Sequence, residues 1–90
     1  MRIIGELPHP TLKITLMHHG RYLLKLEDRD VEITYRFRDE EGVAGLDDAR
    51  RLLDLGLLQS AERTLRDMQS DRRRFARVAP QHGEQFPDII

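Results

Sequence analysis

The chain of 90 residues contains no cysteine. That absence excludes a disulfide framework, a thiolate metal site and a cysteine nucleophile. It also leaves a small domain to rely on packing, or on a partner chain, for its stability. Lysine is nearly absent too: only Lys13 and Lys25 occur, and the remaining positive charge is arginine. The net charge of −1 excludes a strong overall field that would draw the chain to nucleic acid or to an anionic membrane. No apolar run is long enough to span a bilayer. The opening Met1-Arg2-Ile3-Ile4-Gly5-Glu6 lacks the apolar core of a signal peptide, so the expected location is the cytoplasm.

What is present is a heavily charged globular composition: 39% of residues are apolar and 34% charged. A chain of this length makes one domain, expected over residues 1–79, with a polar tail over 80–90 expected to be mobile. Its core is thin, because so short a chain buries only about 60–65% of its unfolded surface.

Thr11–Arg38 carries three apolar-alternating runs: Leu12, Ile14 and Leu16; Tyr22, Leu24 and Leu26; Val31, Ile33, Tyr35 and Phe37. Period-two alternation of this length predicts three strands of an antiparallel meander. A three-residue loop at His18-His19-Gly20, with Gly20 left-handed, sets Leu16 against Tyr22, Ile14 against Leu24 and Leu12 against Leu26. A two- or four-residue loop around Asp28-Arg29 sets Leu26 against Val31, Leu24 against Ile33 and Tyr22 against Tyr35. It also sets Lys25 against Glu32 on the outer face. Met1–Glu6 is able to add a fourth, edge strand, and Leu7-Pro8-His9-Pro10 reads as a rigid connector. With three strands, Thr11–Met17 and Val31–Arg38 are the open edges.

Two helices follow. The first covers about Leu46–Leu55, with Gly45 as N-cap, Asp47 and Asp48 in the first turn and Gly56 just past its end. Asp47–Arg51 and Arg50–Asp54 stand at pairing distance. The second runs over about Leu57–Ala79 and is expected to stop at Pro80. Leu57, Leu58, Ala61, Leu65, Met68, Phe75, Ala76 and Ala79 fall on one side of it, interrupted by Arg72. Arg72 either snorkels past the sheet edge, the ordinary case, or marks a contact with another subunit. The expected fold class is therefore α+β: a three-stranded antiparallel meander, extendable to four strands, covered on one face by two C-terminal helices.

The chemistry-bearing residues are sparse. His9, His18, His19 and His82 do not converge at metal-site spacing. Asp28 and Asp30, and the run Asp39-Glu40-Glu41, fall in turns, where such residues are common. There is no nucleophile elbow, phosphate-binding glycine loop or dinucleotide fingerprint. No cofactor and no catalytic role are expected.

The sharpest pattern is an arginine ridge. Arg63, Arg66, Arg73, Arg74 and Arg77 fall within an arc of about 100° on the second helix, opposite its apolar side. Such a ridge suits phosphate contact with RNA or DNA. Equally, it is a solvated helix back whose arginines pair with acids, as Glu62 with Arg66 and Arg63 with Asp67. No aromatic residues interleave with it to stack bases. The thin core and open edges favour a non-enzymatic protein-interaction module that forms a homodimer, with nucleic-acid binding as the alternative.

The stretch Ile3-Ile4-Gly5-Glu6-Leu7-Pro8-His9-Pro10, with Leu12-Lys13-Ile14-Thr15 and Tyr22-Leu23-Leu24-Lys25-Leu26-Glu27, resembles a family of small uncharacterised bacterial proteins. The resemblance covers the first half of the chain. It implies a small bacterial single-domain protein and brings with it no activity, ligand or site residue.

Overall fold

A computed structural model describes residues 1–82, with side chains described through Ala76. The sheet is antiparallel and has four strands in sequential order: β1 (Arg2–Leu7), β2 (Lys13–His18), β3 (Tyr22–Asp28) and β4 (Val31–Phe37). A 3₁₀ turn at Asp39–Glu41 leads to helix α1 (Leu46–Leu52). A wide turn over Leu53–Leu57 then joins α1 to the long helix α2 (Leu58–His82). The fold is α+β, with an antiparallel sheet and a long C-terminal helix.

Three features differ from the sequence expectation. The N-terminal segment forms the fourth strand that the sequence allowed for, so β2 is internal rather than an edge and the open edges are β1 and β4. The second difference is register. The hairpin loop between β2 and β3 does have three residues, but they are His19, Gly20 and Arg21, so Leu16 pairs with Leu24 and Ile14 with Leu26. The next turn has two residues, Arg29 and Asp30, which pairs Leu24 with Tyr35, Leu26 with Ile33 and Lys25 with Thr34. Each ladder has slid by two residues, an even step, so every side chain keeps its expected face. Glu32 consequently opposes Glu27, and Lys25 relieves this like-charge pair from within its own strand. Its ammonium lies 3.1 Å from Glu27. The Lys25 pKa is raised, first by that hydrogen bond, then by the charge of Glu27, with a smaller contribution from Glu32.

The third difference is in the helices. Gly20 is left-handed, as expected (φ 72°), and Gly45 caps α1. Gly56, at φ 123°, leaves the helical region and marks the kink between the two helices, as its position suggested, but regular α-helix in the first already ends at Leu52. α2 keeps helical backbone to His82, beyond Pro80. A proline in a last turn removes only one intrahelical bond, so it need not stop the helix. The expected tail lies outside the described residues from 83 onward. On α1, Arg51 pairs with Asp48, one turn back, rather than with Asp47.

The core lies between the inner sheet face and the helices. Leu16, Leu24 and Leu26 are fully buried, with Ile14 beside them, and Val43, Ala49, Leu53, Ala61 and Leu65 close over them. Burial of each large side chain stabilises by about 1.5–3 kcal/mol. β1 carries a bulge between Ile3 and Gly5 that shifts its register with β2 by one residue. Gly5 is needed for close approach: a Cβ there would stand 2.6 Å from Leu46 Cδ1.

A methyl group at Gly5 must push the tip of Leu46 aside. Gly5→Ala is therefore expected to destabilise the fold by about 1 kcal/mol, and Gly5→Val by about 1–3 kcal/mol. In a double-mutant cycle read by urea unfolding, Leu46→Ala should recover part of the Gly5→Val loss. Purely additive effects would contradict the contact.

Candidate functional site

α2 determines which surfaces are available. Its first turns sit at the β1–β2 loop, where the Glu62 carboxylate lies 3.7 Å from His9 Nε2. Further along, Gln69 Nε2 donates to the Asp28 carbonyl at 2.9 Å, and the Arg72 guanidinium lies 3.6 Å from Asp30. The β1–β2 loop and the β3–β4 turn stand at the same end of the sheet, so α2 crosses the strands from the β1 side to β4. A helix of 25 residues is about 37 Å long, whereas four strands span only about 15 Å. The helix therefore runs out past the β4 edge, and the molecule measures 47 Å along its longest axis.

This overhang changes the meaning of the apolar stripe. Ala61 and Leu65 are buried, and Leu57, Leu58 and Met68 pack partly against the core. Every residue from Ser70 to Ala76 is exposed, and Phe75 is 62% exposed rather than core. Arg72 carries its head past the sheet to the β3–β4 turn, 3.6 Å from Asp30, in line with the ordinary of the two expected readings.

Of the arginine ridge, Arg63, Arg66, Arg73 and Arg74 are exposed on α2, while the Arg77 side chain lies outside the described residues. Arg74 is engaged locally. Its guanidinium pairs with Asp71 at 3.1 Å and sits 4.7 Å from the centre of the Phe75 ring. Among the described residues, Arg63, Arg66 and Arg73 have no ion-pair partner, and the pairs Glu62–Arg66 and Arg63–Asp67 do not form.

The β4 edge is the second uncovered surface. Val31 is buried, but the inner-face residues Ile33, Tyr35 and Phe37 are only half-buried, and Glu32, Thr34 and Arg36 are exposed. Phe37 pairs with Tyr22 and Tyr35 with Leu24 on the β3 side, but their other flank is open. β1, the opposite edge, is interrupted by its bulge, whereas β4 is unbroken over seven residues.

Among the described side chains, His9 and His18 are structural and His19 faces solvent. His9 Nδ1 accepts hydrogen bonds from the N–H groups of Thr11 (3.1 Å) and Leu12 (2.9 Å), so it ties the connector to the start of β2. His18 packs edge-on against Tyr22, with ring centroids 4.7 Å apart. Among the described residues no three histidines, aspartates or glutamates gather as a metal site. The larger depressions are open to solvent. One of about 510 Å³ is lined by Met1, His19, Gly20, Arg21, Leu23 and Arg36, with no carboxylate in its wall. Among the described residues no helix is long and apolar enough to cross a membrane.

Comparison with protein-family models, with curated proteins and with solved structures finds no match to this chain.

The role of His9 was not visible in the sequence, where it read as part of a proline-rich connector and as a weak metal-ligand candidate. Removing its acceptor nitrogen leaves two backbone donors to find other partners. His9→Ala is expected to cost about 1–2 kcal/mol in thermal or urea unfolding, while His9→Asn, whose amide oxygen can occupy the same position, should retain most of that stability. Equal losses in the two variants would show that packing, not the acceptor, matters.

Proposed function

We propose that this protein is a non-enzymatic interaction module that associates with a second copy of itself. One observation carries the reading: the apolar layer is unfinished on the β4 side. Ile33, Tyr35 and Phe37 are half-open on an unbroken edge strand, and Phe75 stands uncovered on the helix that passes over that edge. A thin core gains most from a partner that extends it. An edge strand with free backbone groups and an apolar flank is a template for pairing. Sedimentation equilibrium from low to high micromolar concentration tests this. The expected outcome is a reversible monomer–dimer equilibrium that Phe75→Asp and Tyr35→Asp each shift towards monomer. A clean monomer throughout would overturn the reading.

A second reading is favoured by the exposure of Arg63, Arg66 and Arg73 without ionic partners among the described residues. In it, the ridge contacts nucleic-acid phosphates. Each phosphate neutralised on duplex DNA contributes about −0.9 to the slope of log affinity against log salt. Fluorescence anisotropy with labelled RNA and DNA would then show salt-sensitive binding, weakened sharply by combining Arg66→Glu with Arg73→Glu. Absence of binding at low salt ends this reading.

A further inference from the structure

We infer that the second copy pairs through β4 in one specific antiparallel register, centred on Thr34, to make a continuous eight-stranded sheet. The inference rests on the self-association reading and names its interface.

The argument begins with the backbone. The β3–β4 turn closes on the pair Asp28–Val31, with two residues between them. In such a hairpin the closing pair is hydrogen-bonded, and hydrogen-bonded pairs then alternate along the ladder. Val31, Ile33, Tyr35 and Phe37 therefore direct their backbone groups to β3. Glu32, Thr34 and Arg36 direct theirs outward. Among the described residues no backbone bond from a turn or loop reaches those three. They offer a row of donors and acceptors at the edge.

Two identical antiparallel strands related by a twofold axis must place one residue opposite its own twin. Either kind of residue can sit on the axis: an outward-directed one then forms a hydrogen-bonded pair with its twin, an inward-directed one a non-hydrogen-bonded pair. Thr34 is the midpoint of Val31–Phe37, so only the register centred there pairs the whole strand. The same register makes the side chains complementary. Glu32 faces the partner's Arg36, and Arg36 faces the partner's Glu32, on the outer face. On the inner face Ile33 faces the partner's Tyr35, and Val31 faces the partner's Phe37. An opposite-charge pair and an aromatic–aliphatic pair are each favourable cross-strand neighbours. About six backbone hydrogen bonds would form between the copies. Centring on any other residue of the strand shortens the overlap and faces neither Glu32 nor Arg36 with its opposite charge within Val31–Phe37.

The helix overhang fits the same geometry. With Val31 beside the partner's Phe37, the inner-face end of the partner strand lies next to the β3–β4 turn. α2 passes that turn at Gln69 and Arg72 and continues outward with Phe75 exposed. The overhang is thereby carried onto the partner's inner-face aromatic residues, which are half-open in the single chain.

The absence of cysteine makes a thiol test clean. In this register the two Thr34 Cα atoms stand about 5.5 Å apart, within the range of about 4.4–6.8 Å that a disulfide spans. The two Glu32 Cα atoms are about 13–14 Å apart and out of reach. Mild oxidation of full-length Thr34→Cys should yield covalent dimer as the main product, and Glu32→Cys should not. Glu32→Arg or Arg36→Glu alone, each placing like charges face to face, should weaken dimerisation about tenfold, and the double exchange should restore it. Circular dichroism of each variant verifies the fold. If the native chain dimerises but Thr34→Cys stays uncrosslinked and the charge exchange gives no rescue, the β4 register is wrong and self-association stands. If the native chain is monomeric at every concentration, the underlying reading fails first.

Discussion

Two rows of side chains on one sheet face hold this fold: Ile14–Leu26–Ile33 and Leu16–Leu24–Tyr35. They exist because alternation keeps apolar residues of three strands on the same side, and because both turns preserve that parity. Both helices depend on them. α1 comes close enough over β1 for Leu46 to reach the space a Cβ of Gly5 would fill, and α2 places Ala61 and Leu65 over the other end. With no disulfide and a thin core, there is no independent scaffold to replace this layer.

The same layer explains where the molecule is incomplete. Four strands are narrower than the helix that crosses them, so α2 must project beyond one edge. It projects over β4, the edge without a bulge, and takes Phe75 with it. A half-covered edge strand and an uncovered aromatic on the helix above it are one feature seen twice. The polar elements sort around this feature. Arg72 with Asp30, and Gln69 with the Asp28 carbonyl, fix the direction in which the helix leaves the sheet. Arg63, Arg66 and Arg73 are exposed on α2, while Arg74 lies against Phe75 of the apolar stripe.

Much of this was legible in the residues. Period-two alternation gave the strands and their buried face, and Gly20 marked the first turn. The register was not legible to the residue, because alternation fixes parity only; a slide by two costs nothing in pattern. The turn between β3 and β4 was hidden further by Arg29, which takes a left-handed φ of 53° that is ordinarily glycine's position. β1 was faint because Gly5 and the bulge interrupt its alternation. The exposure of Phe75 was unreadable for a different reason. A helical stripe shows which side is apolar, not how far the surface beneath it extends. Of the ridge residues, the spacing foretold exposure for Arg63, Arg66, Arg73 and Arg74, but not the engagement of Arg74 with Asp71 and Phe75.

The central claim is that β4 is a paired strand in the working state. Amide hydrogen exchange of Glu32, Thr34 and Arg36, followed by NMR as a function of protein concentration, reads this directly. The account predicts that these three amides exchange rapidly in dilute solution and become protected together as concentration rises, while Ile33 and Tyr35 are protected throughout. Rapid exchange at Glu32, Thr34 and Arg36 at every concentration would contradict it.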